Sequence, residues 1–238
     1  MNIFIVHAHP EPQSFTTAMK DAAVADFTAA GHQVVVSDLY AMNWNPIASA
    51  ADFGTRGNAD YMNYALEQRT NADAQTLAAD IVAELEKLEA ADLVIFSFPL
   101  YWFSVPAIMK GWFDRVLVSG RVYGGRRFYD QGGMKGKRAL LALTTGGRDH
   151  MLSEGGIHGD INSILMPVLQ GTLAYTGMTV LPPFVGYHVP YLSHEARTEI
   201  LQDFRRSVAD WQQHTPLTMP VLAAFDREMH RLPSALEF

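Results

Sequence analysis

The chain has 238 residues, of which 48% are hydrophobic and 18% charged, and these values predict one large α/β domain rather than two of ordinary size. Its net charge of −7, with Lys and Arg spread along the sequence, argues against a surface that binds nucleic acid or anionic lipid. The absence of cysteine excludes disulfides and thiolate catalysis, and no apolar run approaches the ~20 residues that cross a bilayer.

Short apolar runs predict the strands of a parallel sheet. Continuous apolar or β-branched runs are typical of strands buried on both faces, whereas strands with one wet face alternate. Four runs meet this description: Ile3–Val6, Val34–Val36, Leu93–Phe98 and Ala139–Leu143. A fifth candidate, Thr179–Val185, contains Pro182 and Pro183, so we predict that it lies at an edge or is broken.

Helical patterns lie between these runs. The first helix follows Ser14, a potential N-cap, and ends before Gly31, and the second spans Leu77–Leu88 with Glu84 and Glu86 facing water. Two further helices are predicted at Pro106–Val116, with Pro106 as the first residue, and at Glu195–Trp211. Three segments do not fit the predicted core: Asp52–Asn71, Gly120–Gly136 and the tail after Pro216.

The alternation of strands and helices predicts an α/β fold, a doubly wound five-stranded parallel sheet with helices on both faces. Right-handed crossovers bring the carboxyl ends of the strands to one edge, and ligands bind there where the strand order switches. The segments expected at that edge are His7–Thr16, Asp38–Asn45, Pro99–Val105 and Thr144–His158.

The loop after the first strand is a candidate phosphate site. It has neither the GxGxxG fingerprint of dinucleotide-binding folds nor a Walker A sequence. Ser14, Thr16 and Thr17 instead place hydroxyls and backbone N–H groups at the start of a helix, whose dipole attracts anions. Ordinary helix capping by Ser14 is the alternative, and the loop alone does not separate the two.

Aromatic and glycine-rich segments follow the third and fourth strands. The side chains of Tyr101–Phe103 are able to stack on a flat conjugated ring or to pack against a dimer partner. Gly146 and Gly147 allow close approach of the backbone to a ligand, or simply form a turn. His158 lies in a glycine-rich loop on the same side, where a functional and an incidental role both fit.

The nine histidines raise the question of a metal site. His7 and His9 are two residues apart at the end of a predicted strand, so they face the same way. No third ligand has a recognisable spacing, and we therefore predict no bound metal.

Taken together, these segments resemble the NAD(P)H:quinone oxidoreductase (DT-diaphorase) family of flavoproteins, from Asn2 to about Trp211. The resemblance is most specific in residues 37–43, 88–96, 98–100, 102–103, 105–108, 110–113, 144–147 and 156–160. Several such blocks in the same order make a strong signal. The resemblance implies a flavodoxin-like, FAD-binding catalytic domain in residues 1–215 and a short C-terminal extension in residues 216–238.

The resemblance also implies a set of FAD-binding residues. Those expected at the FAD phosphates and ribitol are His9, Ser14, Phe15, Thr16 and Ala18. Those expected around the isoalloxazine are Leu100, Tyr101, Trp102 and Phe103 on one side and Thr144, Thr145, Gly146 and Gly147 on the other. Arg197 matches a basic residue on the adenosine side, and Asn63 resembles a position that reaches the adenine from the partner subunit of a homodimer.

Substrate residues follow from the same resemblance. NAD(P)H and quinone are expected to occupy one pocket in turn, which predicts two-electron, ping-pong hydride transfer through the flavin. Those expected in the pocket are Trp102, Phe103, Tyr123, Phe128, Gly146, Gly147, His158 and Tyr175, from one subunit or the other. Hydride transfer leaves negative charge on the flavin, and His158 matches the family residue that stabilises it. Tyr123 is the second predicted catalytic residue.

Two residues depart from the family pattern. A tyrosine six residues before the catalytic histidine is replaced by Leu152, and a tyrosine of the substrate loop is replaced by Gly125. The first change removes a member of the proton relay, and the second changes the shape of the pocket. No acidic ribose-binding residue can be assigned, so the sequence does not choose between NADH and NADPH.

Two other functions remain open at this stage. One is a regulatory flavoprotein that docks on another protein, such as a transport system, and the other is an FMN electron carrier of flavodoxin type. The aromatic wall and the Gly120–Gly136 loop favour an organic acceptor over an electron carrier. The lack of cysteine and of a basic leader predicts a cytoplasmic protein without membrane insertion.

Overall fold

The chain alternates between strands and helices, as a computed structural model describing residues 1–233 shows. The strands are β1 (Asn2–His7), β2 (Gln33–Asp38), β3 (Leu93–Pro99), β4 (Arg138–Thr144), β5 (Thr179–Val180) and β6 (Phe184–Gly186). The helices are α1 (Phe15–Ala29), α2 (Tyr64–Ala74), α3 (Ala79–Ala90), α4 (Ala107–Val116), the short α5 (Ile161–Ile164) and α6 (Met166–Val168), and α7 (His194–Ala209). In the part of the chain that is described, no helix is both long and apolar enough to cross a bilayer.

All strand pairs of the sheet are parallel, in the order β2-β1-β3-β4-β5. The fifth position is divided, because β5 pairs with the start of β4 and β6 pairs with its end. Pro182 and Pro183 separate the two pieces, and proline has no N–H to donate to a ladder. The predicted five-stranded, doubly wound sheet with a broken edge strand is confirmed.

Helices cover both faces of the sheet. Ile3 and Ile5 of β1 point to the face covered by α1 and α7, where Phe204 is fully buried. Phe4 and Val6 point to the opposite face, which α3 and α4 cover. Because successive side chains of a strand alternate, burial on both faces explains the unbroken apolar runs of the sequence.

Glu84 does not face water as the sequence predicted. Its side chain is 1% exposed. Its carboxylate accepts hydrogen bonds from the Trp112 indole (2.8 Å) and the Ser37 hydroxyl (2.9 Å), and it forms an ion pair with Lys87. A buried carboxylate is tolerated when its oxygens are paired in this way. Glu84 therefore ties α3 to both β2 and α4.

Two predicted helix boundaries and one prediction about the core also need correction. Pro106 is the N-cap of α4 rather than its first residue, and α7 ends at Ala209, with Trp211 in a following single turn. The Gly120–Gly136 loop contributes Val122 and Met134 to the core, contrary to expectation. Apolar residues that are isolated in a glycine-rich segment give no periodic signal, which is why the sequence did not identify them.

The tail after Pro216 does not lie outside the core either. The Leu217 N–H donates to the Val180 carbonyl at 2.9 Å, and Leu217 and Met219 pack against the main core. The start of the tail therefore shields the outer edge of β5.

His7 is a fully buried histidine with both ring nitrogens in contact. Its Nδ1 lies 3.0 Å from the Ser97 hydroxyl and its Nε2 lies 3.2 Å from the Thr17 hydroxyl. Burial lowers its pKa to about 4. The neutral ring thus joins β1 to β3 and to the first turn of α1.

This burial predicts a pH-dependent stability. Above pH 6.5, the ordinary pKa of histidine, both folded and unfolded chains carry a neutral His7, so protonation of His7 does not lower the free energy of unfolding. Between that pH and about 4 the unfolded chain binds a proton that the native state excludes, so the free energy of unfolding falls by about 3 kcal/mol. Urea unfolding at pH 7.5 and 4.5 measures the loss. It should be smaller in His7→Gln but unchanged in the control variant of the exposed His194, His194→Gln.

Candidate functional site

Three loops meet at the carboxyl edge of the sheet and form a cleft of about 430 Å³. They follow β1, β3 and β4, as the sequence predicted, and the loop after β6 closes the cleft. The residues that line it are His9, Gln13, Ser14, Phe15, Thr16, Pro99, Leu100, Tyr101, Thr144, Thr145, Gly146, Val189, Pro190 and Arg197. Ten of the predicted cofactor-binding residues come from widely separated parts of the sequence and meet here.

The first loop offers an anion site at the start of α1. The Ser14 hydroxyl caps the helix by accepting from the Thr17 N–H at 3.1 Å. The N–H groups of Phe15 and Thr16 have no acceptor among the described residues, and both residues line the cleft. Free N–H groups at a helix N-terminus bind anions. Capping and anion binding, which the sequence left as alternatives, are therefore compatible here.

His9 is fixed in one orientation beside this site. Its Nδ1 accepts a hydrogen bond from the Glu11 N–H at 3.0 Å, which leaves Nε2 as the protonated nitrogen of the neutral ring. Burial lowers the pKa of His9. The ring thus presents a neutral N–H donor rather than a charge at neutral pH.

A strained turn projects two aromatic rings at the end of β3. The Tyr101 and Ser104 backbones exchange two hydrogen bonds of 3.0 Å, and the central residues Trp102 and Phe103 have φ values of 50° and 59°. Turns of this kind ordinarily take Asn-Gly, and a non-glycine residue with positive φ costs about 1–3 kcal/mol. The Trp102 side chain is 96% exposed, so packing within the subunit does not explain the strain.

The same turn leaves backbone donors free. The N–H groups of Trp102 and Phe103 have no acceptor in the described part of the chain. A strained turn that presents two N–H groups and two aromatic faces at the sheet edge is suited to a flat heteroaromatic ligand with hydrogen-bond acceptors.

The loop after β4 forms the facing wall. The hydroxyls of Thr144 and Thr16 lie 2.7 Å apart, which joins this wall to α1. His188 Nδ1 lies 3.0 Å from the Gly146 carbonyl and holds the glycine turn from behind. A Cβ on Gly147 would lie 3.1 Å from Leu152 Cδ1, so a larger residue there has little room.

A second cavity of about 210 Å³ adjoins the cleft, because both are lined by Leu100 and Thr145. The other residues that line it are Trp102, Phe103, Gly147, Leu152 and His158. The His158 ring lies against Phe103, with centroids 5.1 Å apart. His158 is the only ionisable side chain among the described residues that line this cavity, because the family tyrosine is replaced by buried Leu152.

Five predicted site residues lie outside both cavities. Ala18 lies in the first turn of α1, and Asn63 is the exposed N-cap of α2, where its side chain accepts from the Leu66 N–H. The other three, Tyr123, Phe128 and Tyr175, form an aromatic cluster in which Phe128 stacks on Tyr175 with centroids 5.5 Å apart and 9° between ring planes.

The aromatic cluster borders a separate groove of about 510 Å³. Tyr123 and Tyr175 line this groove together with residues of α2 and α4, including Tyr64 and Phe113. A single chain therefore brings Trp102 and Phe103 to His158, but not Tyr123, Phe128 or Tyr175. Among the described residues there is also no group of three or more His, Asp or Glu side chains placed to hold a metal.

The loop after β6 was missed by sequence reasoning. Val189 and Pro190 line the cleft, and Tyr191 Cε2 comes within 3.6 Å of the position of a Cβ on Gly146. This segment has no motif, and its strand is interrupted by proline. Topology was the one available signal, since β6 is parallel to β4 and ends at the same edge.

Known proteins share this architecture. A family model described as the flavodoxin-like fold matches residues 1–212. The chain is 45% identical to NAD(P)H dehydrogenase (quinone) 1 of Rattus norvegicus, over 93% of this chain and 81% of that protein. It is 44% identical to ribosyldihydronicotinamide dehydrogenase (quinone) of Homo sapiens, over 89% of both chains.

A solved structure agrees with these relatives. A crystal structure from Klebsiella pneumoniae, of a protein assigned as a quinone reductase, superimposes with a TM-score of 0.89 at 39% identity and covers 99% of this chain and 93% of that one. The protein is thus of the flavodoxin-like α/β class. Within that class, the chain belongs to the NAD(P)H dehydrogenase (quinone) family.

Proposed function

We propose that this protein is an FAD-dependent NAD(P)H:quinone oxidoreductase that works by two-electron, ping-pong hydride transfer. The observation that carries the proposal is the strained Trp102-Phe103 turn, which presents free N–H groups and aromatic faces beside the anion site of α1. The family supports it, since relatives more than 40% identical over most of the chain are quinone dehydrogenases.

The residues of the cleft fit a flavin. The phosphates would lie at the free N–H groups of Phe15 and Thr16 with His9 beside them, and the ring system would lie between the Trp102-Phe103 turn and the Gly146 wall. A bound flavin supplies the chemistry of accepting a hydride from NAD(P)H and passing it to a quinone.

The extent of the cleft supports FAD over FMN. Arg197 lines the same cleft as the start of α1, together with Val189 and Pro190. FMN has a single phosphate, which the helix N-terminus alone accommodates. A cation in the same cleft is suited to the second phosphate and the adenosine of FAD.

The acceptor would bind where the second cavity meets the cleft. Trp102, Phe103 and Gly147 would bound the pocket, and His158 would hold a proton or a hydrogen bond against the negative charge that develops on hydride transfer. NADH or NADPH and the quinone would bind in this pocket one after the other.

We further propose a homodimer, because the site of one chain is incomplete. Tyr123 and Tyr175 line the groove beside α2 and α4, Phe128 stacks on Tyr175, and none of the three lines the cavity of His158 in the same chain. Large apolar side chains are exposed next to the groove, with Ile47 67% and Tyr61 71% accessible. A two-fold dimer through this face would bring the aromatic cluster and Asn63 to the cavity of the partner subunit.

The cysteine-free composition fits a location in the cytoplasm.

The choice of flavin is tested with a pair of matched variants on α7. Arg197→Met should weaken FAD binding by about tenfold or more, since a hydrogen bond to a charged group contributes about 1.5–3 kcal/mol, and should leave FMN binding unchanged. Arg205→Met, an exposed residue of the same helix that pairs with Asp26, is the control. Fluorescence titration of the apoprotein with each flavin gives the Kd values. Equal affinity for FMN and FAD in the wild type would contradict the assignment.

The reaction is tested by steady-state turnover of NADH or NADPH with benzoquinone. A shared pocket requires parallel double-reciprocal lines, because one substrate must leave before the other enters. Intersecting lines would show a ternary complex and contradict the shared pocket, and a protein that binds flavin but turns over no quinone would contradict the proposed activity.

A further inference from the structure

The C-terminal extension lies on the loop that carries Phe128. After Leu217 pairs with β5, the chain crosses to this loop, where the Leu222 N–H donates to Asp130 Oδ1 at 2.8 Å. The Arg126 guanidinium also donates to the Arg227 carbonyl at 3.2 Å. Two hydrogen bonds among the described residues therefore join the extension to the loop, one of them to a carboxylate.

Residues 224–232 of the extension are folded. Phe225 and Arg231 form an antiparallel bridge, and the Leu232 N–H donates to the Ala224 carbonyl at 2.9 Å. The Asp226 carboxylate accepts from the N–H groups of Glu228 (2.8 Å) and His230 (2.9 Å) and closes the turn between them. These hydrogen bonds close residues 224–232 into a hairpin, and Arg227 within it meets the loop at Arg126, so this part of the extension can act as a support for the loop.

Asp130 connects this support to the aromatic cluster. It lies in a single turn, Tyr129–Gln131, directly after Phe128. The Tyr129 N–H donates to the Tyr175 carbonyl at 2.9 Å, although Tyr129 has a strained φ of 47°. A strained residue persists only where its surroundings hold it. The contact from Leu222 to Asp130 is one such restraint, one residue away.

The charge of Asp130 makes the contact durable. Burial raises the pKa of this carboxyl, but hydrogen bonds from the Leu222 N–H and the Gln131 amide outweigh burial, so the pKa lies below its ordinary value. The carboxylate therefore stays ionised near neutral pH. A hydrogen bond to an ionised acceptor is stronger than one between neutral groups.

We propose that Asp130 is a positioning residue, through which the C-terminal extension holds Phe128 stacked on Tyr175 and so sets the affinity for the larger quinones. This inference rests on the proposed function, in which the aromatic cluster borders the acceptor pocket. Asp130 does not touch the substrate. It acts by limiting how far the Phe128 ring moves from its stacked position.

The chain offers a direct way to break the contact from either side. Asp130→Ala removes the acceptor, whereas Asp130→Asn keeps an Oδ1 that the Leu222 N–H can still reach. Leu222→Pro removes the donor, and the backbone is suited to it, because Leu222 begins a turn and Val221 before it is already extended at φ −119° and ψ 136°. Gln131→Ala is the control, since it removes the other partner of the carboxylate.

The experiment compares the KM and kcat of these full-length variants with menadione and with benzoquinone. Asp130→Ala and Leu222→Pro should each raise the KM for menadione about fivefold, the factor of an ordinary hydrogen bond, with kcat within about twofold. The double variant should be no worse than either single one. Asp130→Asn, which keeps a neutral acceptor, should lie between the wild type and Asp130→Ala, and Gln131→Ala should behave like the wild type. An unchanged KM in Asp130→Ala, additive effects in the double variant, or an Asn variant as impaired as the Ala variant would each overturn the proposal.

Hydrogen exchange of residues 120–136 separates this proposal from the proposed function. Exchange there should be faster in Asp130→Ala and Leu222→Pro than in the wild type and in Asp130→Asn, whether or not the protein reduces quinones. Equal exchange in all variants would overturn the role of the extension. Absence of quinone turnover in the wild type would instead count against the proposed function.

Discussion

Replacing His158 with glutamine is expected to slow flavin reduction by NAD(P)H by a factor of about 10²–10⁴, the usual contribution of a positioned acid or base. Among the described residues that line the second cavity, no other side chain is ionisable. Leu152 supplies only hydrocarbon where relatives have a tyrosine, so it cannot share the role. Stopped-flow bleaching of the bound flavin measures the rate.

Two comparisons make this result specific to His158. His150 lies in the same loop but is exposed and outside the cavity, so His150→Gln should reduce at the wild-type rate. Flavin affinity should change little in His158→Gln, because the ring packs on Phe103 rather than on the anion site of α1. If His158→Gln bleaches as fast as the wild type, the histidine has no part in the reaction.

The sequence predicted the parts of the fold that depend on local patterns. The strands around Phe4, Val94 and Leu141 are buried on both faces, so their apolar runs are continuous and easily recognised. Ser14 lies between such a strand and a predicted helix, so the N-cap of α1 was predicted without long-range information, whereas anion binding stayed an alternative. The aromatic segment Tyr101–Phe103 was recognised, but its turn and the strain in it were not predicted, because residue types do not reveal backbone angles.

Long-range pairing of polar groups was not predictable. Glu84 has the pattern of a solvent-facing residue, and only Trp112, 28 positions later in the sequence, makes its burial possible. The Asp52–Asn71 stretch looked too polar for a core, yet Glu67 is buried because its carboxylate accepts from the N–H groups of Gly57 and Asn58. For the same reason, the sequence could not show that Tyr123 and Tyr175 border a different groove from the one near His158.

Replacing Arg115 with methionine is expected to lower the free energy of unfolding by about 3–5 kcal/mol, the usual cost of removing one partner of a buried ion pair. The guanidinium donates to Asp52 Oδ1 from Nε (3.1 Å) and Nη2 (2.8 Å), and to Asp80 Oδ2 from Nη1 (2.7 Å). It also lies 4.6 Å from the Trp44 ring centroid. Urea unfolding followed by circular dichroism at pH 7 measures the change.

The expected loss of stability arises because the buried Asp52 carboxylate loses its partner, rather than because the arginine side chain itself is missing. Burial would raise the pKa of Asp52, but the hydrogen bonds from Arg115 and Tyr64 together hold it below its ordinary value, so the carboxylate is charged and only 2% exposed. Without Arg115 that charge stays buried with the Tyr64 hydroxyl as its remaining side-chain donor. Adding Asp52→Asn should therefore recover part of the stability lost in Arg115→Met.

A control on the same helix distinguishes the effect of unpairing a buried carboxylate from the effect of simply removing a positive charge. Lys110 pairs with Asp114 at 2.6 Å, but both side chains are exposed, so Lys110→Met should cost no more than about 0.5 kcal/mol. Similar losses for Lys110→Met and Arg115→Met would contradict the argument, as would a double variant with Asp52→Asn that is less stable than Arg115→Met alone. Because Asp52 and Tyr64 fix α2 beside the groove of the proposed dimer, Arg115→Met should also shift the protein toward monomers in sedimentation.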